Sequence, residues 1–237
     1  MPRRPHRTRR WMTAATWPVG IVLTSWDYMW RSTVLHRQER LEISDAGHLP
    51  PVYPEGVDAT EVIGVGDGHG PLFHRRYSTR IRASRSGPDE LFRDLTANLN
   101  RAAPTAFARF QRVYGDGETL GVGDEFVVRM PGPWDGPVRV IDRGPRSFRL
   151  ATLAGHLEAG QIEFRVRQDD LLGFEIESWA RSATRLSNLL YHQVRMAKEI
   201  QLHMWISFLE GVVSLSGGRM TGGIRIDTRR IENGYLP

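Results

Sequence analysis

Along residues 73–83 the chain alternates, with Tyr77, Thr79, Ile81 and Ala83 on one phase, the period of a half-buried strand. The run Ser86-Gly87-Pro88-Asp89-Glu90 then reads as a helix start, with Ser86 as cap, Pro88 in the first turn and acids at the positive end. Leu91, Phe92, Leu95 and Leu99 mark its apolar face, and Pro104 predicts a second short helix over Phe107 and Phe110, broken at Gly115-Asp116-Gly117. Short strands follow at 124–129, 138–142, 147–153, 161–167 and 174–179. Turn signals at Gly144-Pro145, 155–160 and 169–173 make their connections too short for anything but antiparallel pairing. Between the first two lies a Pro/Gly block, 130–137, around Trp134 and Asp135. After Arg181 the period changes. Leu186, Leu190, Val194, Ala197, Gln201, Met204, Phe208 and Gly211 recur at spacings of three and four. They predict one helix over 183–215, about 33 residues and about 50 Å long. Gly217-Gly218 ends it. Residues 219–237 are polar and are expected to be only loosely ordered.

This order predicts an α+β, helix-grip architecture: a curved antiparallel sheet wrapped on a long C-terminal helix, with two short helices after the first strand. One helix covers the apolar face of such a sheet without sealing it, so a cavity is expected between them. The organisation read from the chain is a basic, aromatic N-terminal arm and linker over 1–57, the domain over 58–218, and the polar tail over 219–237.

Gly155-His156-Leu157-Glu158-Ala159-Gly160, followed by Ile162-Glu163-Phe164 and by residues 174–182 (FEIESWARS), resembles an uncharacterised bacterial family, domain of unknown function nineteen-ninety. The segment order resembles the wider helix-grip (START/Bet v-type, polyketide cyclase-like) superfamily of lipid carriers, hormone receptors and aromatases or cyclases. The resemblance spans about residues 60–218 and implies a hydrophobic or amphipathic small molecule held between sheet and helix, with no established reaction and no cofactor. Two other readings stay open: an enzyme of the cyclase/aromatase type acting on such a ligand, and a membrane-docked structural protein.

Charge changes the picture at one end only. The net charge is +5, yet residues 1–40 hold eight arginines against Asp27 and Glu39, and the rest holds 24 basic against 25 acidic residues. The body is neutral, so no specific nucleic-acid partner is expected. Arg3, Arg4, Arg7, Arg9 and Arg10, followed by the apolar run 11–26, suit contact with an anionic membrane surface. That run is shorter than a spanning helix. Packing of the arm onto its own body or a partner, and a cleaved signal, are the other readings; the expected place is the cytoplasm, with or without peripheral contact to the inner membrane. The chain has no Cys, which excludes disulfides, thiolate catalysis and Cys-ligated metals.

Candidate residues follow from the strand phases. Ile162, Phe164 and Val166 share one face with Phe174, Ile176 and Ser178; Glu163, Glu175, Glu177 and Trp179 lie on the other. The Glu/Arg face is expected to look at water, with Arg165 and Arg167 pairing the glutamates. The residues put forward as lining a ligand are Trp134, His156, Phe164, Ile176, Trp179, Met204, Trp205 and Phe208. Trp134 and Asp135 read as a structural turn with a packed Trp or as a lid over the cavity, and His156 is a turn histidine bonded to backbone or a base at the cavity mouth. The alternating glycines of 64–70 lack the spacing of a phosphate loop. No metal is expected: Asp67, His69 and His74 are a weak set, and His192 and His203 lie too far apart along one helix to share an ion.

Overall fold

The computed structural model describes residues 33–42, 46–105, 108–130, 135–183 and 195–232, with backbone only for Ala46 and residues 195–200. Among the described residues nine strands form one sheet in the order β1-β9-β2-β8-β7-β6-β5-β4-β3. They are β1 (Leu35–Glu42), β2 (His69–Arg82), β3 (Arg109–Tyr114), β4 (Glu125–Arg129), β5 (Asp135–Arg143), β6 (Ser147–Thr152), β7 (Glu158–Gln168), β8 (Leu172–Ser182) and β9 (Arg219–Ile231). Every pair is antiparallel except β1 with β9. Among the described residues two α-helices, α1 (Pro88–Ala97) and α2 (Arg195–Leu215), pack on one face, called inner here. This is the helix-grip arrangement.

The alternation of the strands decides what each face buries. Tyr77 and Ile81 from β2, Phe164 and Val166 from β7, and Phe174 and Ile176 from β8 point inward and meet Leu202, Met204, Trp205, Phe208, Leu209 and Val212 of α2. Helix α1 adds Leu91, Phe92 and Leu95, one apolar stripe at three- and four-residue spacing. Its first turn holds Pro88, Asp89 and Glu90 as the sequence predicts, but the cap is Gly87, not Ser86. Gly211 sets how closely α2 sits: a Cβ there would run into the Ala102 backbone. Leu215 ends the helix, Gly217 turns at φ +66°, and the Ser216 carbonyl accepts from the Arg85 and Ser86 amides.

Three expectations are corrected. Phe110 lies on strand β3, not on a helix, and it meets Phe208 edge-on at 6.4 Å. The residues taken as a loose tail form β9 over Arg219–Ile231, inserted between β1 and β2. Ile224 and Ile226 on β9 are buried in the inner core, which is the energetic reason this polar-looking segment is held. Part of the expected arm and linker, Leu35–Glu42, is likewise an edge strand. Of the helix expected over 183–215, residues 195–215 are helical and 184–194 lie outside the described residues.

Candidate functional site

The inner face has an aromatic end and a polar end. Beneath the C-terminal part of α2 the rings close on one another. Phe148 stacks on Phe164 at 4.7 Å, and Phe164 meets Trp205 edge-on and Phe208 at a tilt, each at 5.5 Å. Phe174 joins Phe208 at 6.2 Å. At these rings the space between sheet and helix is filled by side chains. Toward the other end of the helix the chemistry changes. Arg75, 2% exposed, projects inward from β2, lies over the Phe73 ring, and donates to Gln201 Oε1 at 3.0 Å. Gln201 in turn donates to Glu158 Oε2 at 2.8 Å, whose other oxygen is 3.8 Å from Arg75. Ser178 sits opposite both Arg75 and Ile162. Buried polar atoms at this boundary, Ser178 Oγ and Trp205 Nε1 among them, make no hydrogen bond. Leaving such groups unsatisfied costs about 1–3 kcal/mol each.

The opposite, outer face is covered as well. The segment 46–67 crosses it. Leu49 packs against Val65, Leu72, Trp179 and Ile231, the Pro51 carbonyl accepts from Gln161, and Arg139 donates to the Asp58 and Thr60 carbonyls. Beneath it lies a chain of ionisable groups. His74 stacks on Trp179 at 5.2 Å and donates Nε2–H to Glu177 at 2.7 Å, and Arg76 also bonds Glu177, at 2.6 Å. Burial pushes the Glu177 carboxyl up, but the hydrogen bonds of His74 and Arg76 and the Arg76 charge outweigh it and hold the group at about 2. His48 Nδ1 lies 3.2 Å from His74 Nδ1, and His48 Nε2 lies 2.8 Å from Glu42 and 2.6 Å from Arg229. If His48 accepts from Arg229, its Nδ1–H donates to His74 and both rings are neutral. If both Nε2–H groups sit on carboxylates, the facing Nδ1 atoms need one proton between them. The two schemes differ by a single proton.

The residues singled out from the sequence divide between these places. Phe164, Ile176, Met204, Trp205 and Phe208 are buried together on the inner face. Trp179 is not with them: its β8 phase sends it to the outer face, onto His74. His156 is at the turn before β7, where its Nδ1 accepts from the Glu158 amide at 2.9 Å, and burial lowers its tendency to protonate. Trp134 lies outside the described residues, as do Arg3, Arg4, Arg7, Arg9 and Arg10. Glu163, Glu175, Glu177 and Arg149 all lie on the outer face, away from α2. Arg165 pairs with Glu163 and Glu175, and Arg167 with Glu175, as the strand phases predict. Yet Glu175 and Glu177 are only 7% and 6% exposed, so this face does not look at water. Among the described residues no three metal-ligating side chains converge, and Asp67 instead accepts from the Gly64 amide. Sequence reasoning missed Arg75, Glu158 and Gln201. Arg75 shares the phase of Tyr77 and Thr79, an inward charge that marks a polar site. No helix among the described residues is long and apolar enough to cross a membrane.

Solved structures share the outline at low identity. Ginseng major latex-like protein 151 from Panax ginseng is 15% identical, with a TM-score of 0.45 over 62% of this chain and 99% of its own. Norcoclaurine synthase from Thalictrum flavum, in complex with dopamine and hydroxybenzaldehyde, is 12% identical, with a TM-score of 0.42 over 70% and 98%. Hypothetical protein jhp0584 from Helicobacter pylori is 11% identical, with a TM-score of 0.43 over 60% and 86%. No curated protein matches the chain. A family model does, over residues 56–207, from the turn before β2 through the middle of α2. On that match the chain belongs to the family described as Domain of unknown function (DUF1990).

Proposed function

We propose that the protein binds an amphipathic small molecule between the inner face of the sheet and α2, at the boundary of the aromatic and polar ends. Phe164, Ile176, Met204, Trp205 and Phe208 form the apolar side of the site. The observation that carries the reading is the pair of buried, unpartnered atoms Ser178 Oγ and Trp205 Nε1 beside the Arg75–Gln201–Glu158 set. A ligand oxygen accepting from both would restore their lost hydrogen bonds, and its apolar body would meet the ring wall. Burying roughly 200 Å² of apolar ligand surface stabilises the complex by about 5 kcal/mol before association costs. Binding is favoured over catalysis here because Glu163, Glu175 and Glu177 point away from α2 and the inward Glu158 is engaged by Gln201 and Arg75.

Native mass spectrometry of the purified chain, with titration of a solvatochromic dye, tests the reading. A bound lipid-like species, or saturable dye uptake weakened by Trp205→Phe, is the expected result. Absence of both a bound species and saturable uptake would remove it.

A further inference from the structure

The outer face is charged throughout, but its pairing is uneven. Arg165 and Arg167 hold Glu175, Arg76 holds Glu177, and Arg229 holds Glu42 with Asp227 at 3.9 Å. Toward the α2–β9 turn the pattern stops. His36, Arg80 and Arg225, and the cross-strand neighbours Arg82 and Arg219, have no carboxylate partner among the described residues. The nearest carboxylates in the pairing, Glu175 opposite Ser78 and Asp227 two residues from Arg225, are already held.

His36, Arg80 and Arg225 converge on a hollow of about 240 Å³ that Ser78, Thr221 and Gly222 also line. The pleat makes this happen. Arg225 lies opposite His36 on one side and Ser78 on the other, one row across β1, β9 and β2. The next pair slips: Thr79 faces Ile224 while Arg80 faces Thr221, so Gly222 and Gly223 are extra residues. Their φ values of +70° and +74° suit glycine, and a Cβ on Gly223 would strike the Val34 carbonyl. A Cβ on Gly222 would meet nothing within 4 Å, so the bulge leaves open space there.

The side chains around the hollow supply donors and positive charge. Two guanidinium forks, an imidazole and two hydroxyls suit a tetrahedral oxyanion, and a concave cationic surface attracts a dianion more than a carboxylate. We infer that this hollow binds a phosphate group, presented either by a soluble phosphate monoester or by a phospholipid headgroup. The site is separate from the one under α2 and does not depend on it. It joins β2, inside the family match, to β1 and β9, outside it.

The full chain, labelled with nitrogen-15, is titrated with glycerol 3-phosphate against sodium chloride at matched ionic strength. The Gly222 and Gly223 amides are expected to shift saturably, with a dissociation constant on the order of 1 mM. Arg225→Gln and Arg80→Gln should each weaken binding about tenfold, the loss of one charge-assisted contact. Arg146→Gln, whose partner Asp89 is elsewhere on the surface, should change nothing. Ser78→Ala provides a second, milder variant, and unchanged core methyl signals confirm folding in each case. A parallel arm measures flotation with phosphatidylcholine vesicles with and without phosphatidic acid. Binding to those vesicles alone, lost in Arg225→Gln, assigns the phosphate to a lipid headgroup. Shifts that match the chloride control, or binding in both arms that survives both arginine substitutions, overturn the inference.

Discussion

The two faces of β8 bury alternate residues of the same strand in opposite ways. Phe174, Ile176 and Ser178 face α2, while Glu175, Glu177 and Trp179 lie on the opposite face, where Trp179 meets the segment 46–67. Ile176 is 0% exposed and Glu177 is 6% exposed, so burial is nearly equal. The inner residues need only exclusion from water, and the rings supply it. The outer residues need a partner for each charge, and His74, Arg76 and Arg165 supply those. Buried polar atoms without a hydrogen bond occur on both faces, at Ser178 and Trp205 on the inner and at Arg149, Trp179 and Asp227 on the outer. The inner pair sits beside the rings, where the proposed ligand would accept from it, whereas the outer atoms belong to residues already engaged in ion pairs or ring stacking.

Substitutions on the two faces should separate these roles. Phe208→Ala removes a ring that meets Phe110, Phe164, Phe174 and Trp205 and should cost about 3–5 kcal/mol in denaturant unfolding. Glu177→Ala should cost less, about 2 kcal/mol, because Arg76 can turn to water while His74 stays buried. A larger cost for Glu177→Ala than for Phe208→Ala would reverse the comparison.

The acid dependence sharpens it further. Glu177 titrates near 2 in the fold against 4.5 when unfolded. Its stabilisation is fully present above 4.5 and is lost as the pH falls from there toward 2. Glu177→Gln should flatten that part of the stability curve. His156 is also held below its ordinary value of 6.5, here by burial, so the unfolded chain takes up its proton first. Stability should therefore also decline as the pH falls below 6.5, and His156→Gln should reduce this decline without affecting the one near 4. Unfolding midpoints of the two variants across this pH range check both signs.

The sequence made the strand phases legible, because apolar residues two apart admit only one buried side. That phase placed Phe164 and Ile176 against the long helix and set Trp179 with the glutamates on the other side. Grouping Trp179 with the ligand wall ran against its own period. The period was also present in β9, at Ile224, Ile226 and Thr228, but Gly222-Gly223 and the arginines gave the segment the look of a tail. Phe110 follows Pro104 closely enough to read as helix, and pairing with Val128 of β4 makes it a strand. His48, His74 and Glu177 were out of reach, since their contacts bridge 26 and 103 residues and depend on where a loop crosses the sheet. The Pro/Gly composition of 41–70 says loop, but it does not say that the loop buries the charged face.

The central claim is that Ser178 Oγ is unsatisfied for the sake of a ligand and not for the fold. Unfolding stability and dye affinity of Ser178→Ala, measured side by side, test it most directly. The account predicts stability unchanged or higher by up to about 1 kcal/mol, because an unpaired buried hydroxyl is removed, together with clearly weaker dye binding. A loss of stability with unaltered dye binding would contradict it.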